Sequence, residues 1–199
     1  MSVKHYERTK KFKMPEFDRH RPLAEYLVPL IGDKKEVSIL EVGAGPLLTI
    51  GDEFPGVKIN ITACDKLAKE YKEIYGDRLF NVEFQDMENL TYADNSFDIV
   101  HCVNAVDHTK SPRSSIAEMI RVSKGFVYLR HNINEGEEQN YSGLHRWNIE
   151  MKDNDCRFWN PKREFLLSEF GDWRNEQKVE SFTTKYKQDT QIISIYEVH

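Results

Sequence analysis

Five short apolar runs, each closing on a small or polar residue, constrain this chain more than any other feature. "EVSILEVG" runs into glycines, "VKINITACD" closes on Asp65, "LFNVEFQD" on Asp86, "FDIVHCVNA" near Asn104 and "GFVYLRHN" at His131. All five are rich in Val, Ile and Phe. Runs of this kind are how buried parallel strands read, because helices cover both faces. Amphipathic stretches lie between them. "KLAKEYKEIYG" puts Leu67, Tyr71, Ile74 and Tyr75 on one stripe with Gly76 as a stop. "SPRSSIAEMIRVSKG" opens on Ser111-Pro112, carries Ile116, Met119 and Ile120, and closes at Gly125. "PLAEYLVPLIG" gives a third helix ahead of the first strand.

The last third reads differently. "HRWNIEMKDNDCRFWN" alternates Trp147, Ile149 and Met151 around a polar turn, the pattern of a β-hairpin, and "NPKREFLLSEFG" reads as a helix. "QKVESFTTKY" and "QIISIYEV" then make two antiparallel strands. The sum is an α/β fold: a doubly wound, mostly parallel seven-stranded sheet with an antiparallel C-terminal strand. With 199 residues and neither repeat nor linker, one domain is expected over 1–199. Its parts are an N-terminal helical segment at 1–36, a core at 37–131, a loop and hairpin at 132–160, and a C-terminal helix with a strand pair at 161–199.

Composition narrows the partners. A net charge of −5 argues against broad binding to a nucleic-acid backbone, and the basic run from Lys4 to Lys13 reads as a solvated helix face. No run approaches a membrane span, and the charged start is not a signal peptide. Cys64 and Cys102 sit inside apolar runs and Cys156 has no partner left, so buried thiols and the cytoplasm are expected. A monomer or homodimer is expected.

In open α/β sheets ligands bind beyond the carboxyl ends of the strands. That gathers Gly43, Gly45, Asp65, Asp86, Asn104 and His131. An acid about 20 residues after the glycines is the ribose partner in nucleotide sites, and Asp65 fits. A pyrophosphate, however, needs free N–H groups and a helix N-terminus. Pro46 removes an N–H, Leu48 stands where a third glycine belongs, and "LLTIGDEFPG" is cut by Gly51 and Pro55 and carries Asp52 and Glu53. No Lys-Ser/Thr follows the glycines, which excludes a Walker loop. S-adenosyl-L-methionine has no phosphate, tolerates such a turn, and lets Glu41 face its cationic side.

On these stretches the sequence resembles the Rossmann-like (class I) S-adenosyl-L-methionine-dependent methyltransferases of the small bacterial type. The matching segments are "ILEVGAGP", "ITACD", "VEFQDMENL", "SFDIVHCVNAVDH" and "EMIRVSKGFVYL", over roughly residues 37–131. The resemblance implies that Gly43, Ala44 and Gly45 pack on the methionine half. Asp65 would hold the ribose flanked by Lys66 and Leu67, Asp86 the adenine amino group with Met87 beside it, and Asn104 the floor near the sulfonium. Pro46-Leu47 and Lys124-Gly125-Phe126 depart from the family's usual glycines. "HNINEGEEQNYSGLHRWNI" is similar to a run in methyltransferases of surface-polysaccharide and nucleotide-sugar pathways.

Methyl transfer is chiefly positioning. A sugar hydroxyl is barely acidic, so a proton acceptor helps, and histidine is the usual one. His108, His131 and His145 are the candidates, with Asp107 either orienting a histidine or capping a turn. Asn140, Tyr141 and Trp147 are expected to contact substrate and Tyr6 to cover the cofactor. A two-histidine, one-carboxylate metal site built on His131 and His145 is the alternative; no metal is expected. The expected activity is O-methylation of a small sugar-containing metabolite in glycan biosynthesis, releasing S-adenosyl-L-homocysteine. The alternatives are an NAD(P)-dependent oxidoreductase and a non-catalytic module that regulates a partner.

Overall fold

The computed structural model describes residues 21–46, 48–76, 81–181 and 188–199. Tyr6 and the basic run lie outside the described residues. The strands of the main sheet are β1 (Glu36–Val42), β2 (Glu53–Phe54), β3 (Val57–Asp65), β4 (Val82–Phe84), β5 (Phe97–Val103) and β6 (Ser123–Asn132), completed by β10 (Trp173–Ser181) and β11 (Gln188–Glu197). Their order is β10-β11-β6-β5-β1-β3, with β2 and β4 both on β3. The β1–β3, β3–β4, β1–β5 and β5–β6 pairs are parallel, whereas β11 runs antiparallel to β6 and β10. Among the described residues the expected topology holds with eight strands rather than seven; the addition is the two-residue β2.

β1 shows why the runs lack a polar face. Leu40 and Val42 enter one core with Val100, Cys102, Val127 and Leu129, while Val37 and Ile39 enter a second with Ile99 and Tyr128. The first core is covered by the longest helix, Pro112–Val122, through Ile116, Met119 and Val122. Ser111 caps that helix by accepting from the Ser114 N–H at 3.3 Å, and Pro112 fills its first turn. The second core is closed by Leu23 and by Leu27, Leu30 and Ile31, the last three from a 3₁₀ turn (Glu25–Leu27) and a one-turn helix (Val28–Ile31) in place of the single helix expected there. The helix Ala68–Tyr75 follows β3 and stops at Gly76, whose φ of +63° suits glycine. Cys64, Cys102 and Cys156 are buried and free. No helix among the described residues is long and apolar enough to cross a membrane.

Two further elements differ from expectation. Residues 163–170 are not helical: they form β9 (Arg163–Leu166) and a 3₁₀ turn (Leu167–Phe170). The Asn160 side chain accepts from the N–H groups of Lys162 and Arg163 at 3.0 and 3.2 Å, which reverses the chain. Phe165 then stacks on Phe158 at 5.1 Å between ring centroids. A second, three-stranded sheet results, formed by β7 (Asn148–Lys152), β8 (Asp155–Asn160) and β9. The hairpin is as expected, with Asp153 and Asn154 both at positive φ (+51° and +65°) in its two-residue turn. The other difference is the β1–β3 crossover, where a doubly wound fold places a helix and none is found among the described residues. Residues 21–23 lie against it instead: the Leu23 N–H donates to the Glu53 carbonyl at 2.8 Å and the Glu53 N–H to that of Arg21 at 3.1 Å. A Cβ on Gly51 would stand 2.1 Å from the Arg21 carbonyl oxygen, so only glycine admits the approach.

Candidate active site

β1 lies between β3 and β5, which leave it in opposite directions, so a crevice opens at the carboxyl ends of the three strands. A cavity of about 380 Å³ occupies it, within the range of small-ligand sites. Gly43 and Gly45 form its rim at φ +68° and +64°. The Gly43 N–H donates to the Cys64 carbonyl at 2.9 Å, which ties the turn to β3. A Cβ on Gly43 would lie 2.5 Å from the Ala105 Cβ, whereas one on Gly45 meets nothing within 4 Å. Left-handed backbone costs a side chain about 1–2 kcal/mol and overpacking about 1–3. Gly43→Ala is therefore expected to lose roughly 2–5 kcal/mol of stability and Gly45→Ala only about 1–2. Urea unfolding of both variants checks the contrast, and equal losses would refute the packing account.

Asp65 ends β3 beside the turn. Its Oδ2 accepts from the Gly45 N–H at 3.0 Å and its Oδ1 from the Leu67 N–H at 2.8 Å. Burial pushes its carboxyl above the ordinary value, against those two N–H groups. Lys66 forms an ion pair with Asp86, whose Oδ1 also accepts from the Glu88 N–H at 3.1 Å. Burial opposes ionisation of Asp86, but Lys66 and that N–H hold its carboxyl below the ordinary range. Lys66, Leu67, Asp86 and Met87 all line the cavity.

The wall opposite is the loop after β5. Asn104 adopts φ +48° and its Oδ1 accepts from the Asn132 N–H at 2.9 Å, which couples the ends of β5 and β6. A 3₁₀ turn, Val106–His108, follows. Asp107 is 3% exposed and its Oδ2 lies 2.5 Å from His145 Nδ1 and 3.5 Å from His108 Nε2. The two rings meet edge to face at 4.7 Å. Burial opposes the Asp107 charge, yet the His145 hydrogen bond holds its carboxyl below the usual range. Burial lowers His108; burial also opposes charge on His145, but the bond to Asp107 and the negative charges of Asp107, Glu135 and Glu138 together outweigh it, and the shift is upward. His108, Asn104, Thr109, Leu144 and Arg146 line the same cavity as Asp65.

The sequence profile of the methyltransferase domain family matches residues 40–129, a span that holds the turn, Asp65, Asp86 and the loop after β5. That match makes S-adenosyl-L-methionine the cofactor to set against the geometry of the cavity. Among solved structures the fold is similar to that of S-adenosylmethionine-dependent methyltransferases from Clostridium acetobutylicum (TM-score 0.51, 12% identity, 98% of both chains) and Aquifex aeolicus (0.50, 18%, 98% of both). It is also similar to one from Methanosarcina mazei (0.50, 13% identity, 89% of this chain and 99% of that one). At these identities the likeness is one of fold. The chain spans 50% of the length of the DszA carbon methyltransferase, to which it is 20% identical over 87% of its own length (TM-score 0.47). No curated protein matches the sequence.

The residues of the cavity fit S-adenosyl-L-methionine. Asp65 offers carboxylate oxygens at the cavity wall for vicinal hydroxyls, and Lys66, the cation next to it, is already paired with Asp86. With no helix among the described residues after the turn, the dipole that a pyrophosphate needs is missing there. The cavity thus gathers Gly43, Gly45, Asp65, Lys66, Leu67, Asp86, Met87, Asn104 and His108 from the residues expected at the site.

Seven others do not line it. Glu41 shares the face of Val37 and Ile39, on the far side of the sheet from the cavity-side residues Leu40 and Val42, and its Oε1 accepts from the Thr49 N–H at 2.9 Å. Ala44 packs with Leu48 and Ala63. His131 is 1% exposed, edge-on to Phe158 at 5.5 Å, and burial pushes it down to about 4, so it is a neutral core ring. Trp147 is hairpin core: it is buried, edge-on to Phe165, and its Nε1–H donates to the Thr109 carbonyl at 3.2 Å. Asn140 is exposed and Tyr141 leans on Trp159 at 5.7 Å; neither lines the cavity. His145 reaches the site through Asp107 rather than by lining it. Sequence reasoning missed Tyr71, Gln85, Glu88, Thr109, Lys110, Leu144 and Arg146 as lining residues. Adjacency to His108 and His145 was the available signal for Thr109, Leu144 and Arg146.

Proposed function

We propose that the protein transfers the methyl group of S-adenosyl-L-methionine to a hydroxyl oxygen of a small, sugar-like acceptor, in a pathway of glycan assembly. The observation that carries this reading is the placement of Asp107, His108 and His145 at the end of β5, with His108 in the wall of the cavity that holds Asp65. When bound, S-adenosyl-L-methionine supplies an electrophilic methyl carbon whose leaving group is a neutral thioether. Asp65, Leu67, Asp86 and Met87 would hold the adenosyl portion, and the turn at Gly43–Gly45 would take the methionine half. Asn104, fixed by its bond to Asn132, would set the floor against which the acceptor oxygen is aligned.

As the O–C bond forms, the C–S bond breaks with its electron pair staying on sulfur, and the acceptor oxygen gives up its proton. The Asp107, His108 and His145 cluster assists that loss. Burial holds His108 below its ordinary value, so its ring is neutral and has a lone pair to offer. The polar loop at Glu137–Asn140 supports a hydroxylated acceptor, since it leads directly into Leu144 and Arg146 at the cavity.

The test is methyl transfer from labelled donor to a panel of sugar, phenol, amine and carbon acceptors. With the best hydroxyl acceptor, His108→Ala is expected to lower kcat about 100-fold or more while S-adenosyl-L-homocysteine affinity stays within about twofold. Transfer to amines or carbon alone would overturn the oxygen assignment. Cofactor binding with no transfer to anything would favour a regulatory module.

A further inference from the structure

We propose that Asp107, His108 and His145 together hold a divalent first-row transition cation whose remaining coordination position opens into the cavity. Among the described residues these three place one ligand atom each within 4.8 Å of one another. Two donors on a shared cation, each at about 2.1 Å, stand about 3 to 3.5 Å apart. The observed His145–Asp107 and Asp107–His108 separations of 2.5 and 3.5 Å bracket that spacing, so small side-chain rotations close the site.

A separate observation points to a ligand. Asp107 Oδ1 and His108 Nε2 are both buried with no hydrogen-bond partner among the described residues. A buried acceptor left without a donor is costly, and a cation placed between the two satisfies both. Glu135 Oε2, 3.4 Å from His145 Nδ1, supplies a further oxygen at the edge of the group. Two imidazoles with carboxylate suit zinc, manganese, iron or nickel better than calcium or magnesium. Three protein ligands with one position open is the arrangement of a reactive site, not of a structural one. His108 is the ligand in the cavity wall, which fixes where the open position faces. His131, the histidine that the sequence pairs with His145 for a metal, is not in the group; His108 takes its place.

The proposed function enters only in what the cation does. An acceptor hydroxyl bound at the open position loses its proton to water at the cavity mouth more readily as its bond to the methyl carbon forms.

The experiment uses the full chain, stripped with chelator, and no acceptor. Added Co²⁺ is expected to give a visible d–d absorption that saturates at one equivalent, and calorimetry with Zn²⁺ alone should give the same stoichiometry. His108→Ala should weaken Zn²⁺ about 100-fold and Glu135→Gln about 10-fold, with S-adenosyl-L-homocysteine affinity unchanged as the check on folding. No Co²⁺ absorption, or His108→Ala binding Zn²⁺ as tightly as the parent chain, overturns the site. The two readings fail separately. Zn²⁺ binding without transfer to any hydroxyl keeps the site and refutes the proposed function. Full hydroxyl transfer in chelator with no Co²⁺ signal does the reverse.

Discussion

An Asp65→Ala variant is expected to bind S-adenosyl-L-homocysteine on the order of a hundred to ten thousand times more weakly than the parent chain. A carboxylate that accepts from two ribose hydroxyls makes two hydrogen bonds to a charged group, each worth about 1.5–3 kcal/mol, and every 1.4 kcal/mol is tenfold in affinity. The present geometry adds to the loss. Asp65 already accepts from the N–H groups of Gly45 and Leu67, so alanine also leaves two N–H groups unpaired at the turn proposed to receive the methionine half. Asp65→Asn separates the two contributions: it keeps one oxygen for the backbone and gives up the charge, so an intermediate affinity is expected. Calorimetric titration of both variants decides. An unchanged affinity in Asp65→Ala would remove Asp65 from the cofactor site, whatever the fold suggests.

The residues that the sequence placed in the cavity share a property. Gly43 and Gly45 mark backbone at positive φ, and Asp65, Asp86 and Asn104 each end or follow a strand where the chain must leave the sheet. Such positions are set locally, by turn chemistry and by spacing. The misplaced residues depend on partners far away in the chain. Glu41 sits in a strand buried on both faces, so nothing nearby reveals that odd positions turn away from the cavity. His131 ends its strand as a catalytic group would, but β8 brings Phe158 over it from 27 residues later. The helix expected over 160–171 failed for the same reason: Phe165 and Leu167 alternate to meet β8, a strand whose position local periodicity cannot see. Asp107 was legible as a partner for histidine, though not as the group that joins two of them.

Glu41 supplies the second large effect, and it acts on stability. It is 1% exposed and burial pushes its carboxyl up from 4.5 to about 7, against the Thr49 hydroxyl and N–H and the nearby Arg21 charge. A carboxyl with a raised folded value binds more protons in the folded chain than in the unfolded one between those two pH values. Its contribution to stability is thus complete below pH 4.5 and is lost as pH rises through about 7. At about 1.4 kcal/mol per pH unit, the loss is on the order of 3 kcal/mol. Glu41→Gln is expected to remove that slope. Glutamine keeps an oxygen for Thr49, and its amide nitrogen meets the same surroundings as protonated Oε2, which has no hydrogen-bond partner among the described residues. Urea midpoints should therefore agree below pH 4.5, with Glu41→Gln higher by roughly 1 M or more at pH 8. His101, whose Nδ1 lies 3.9 Å from the Glu41 carboxylate, is pushed by burial down to about 3 and stays neutral across this window, so it adds no slope of its own there. Equal slopes in the two chains would refute the assignment. The same variant tests the face on which Glu41 stands. Were Glu41 directed at the cofactor's cationic side, the change would weaken the sulfonium S-adenosyl-L-methionine more than the neutral thioether S-adenosyl-L-homocysteine. Because Glu41 turns away from the cavity to hold Thr49, the ratio of the two affinities is expected to stay where it was.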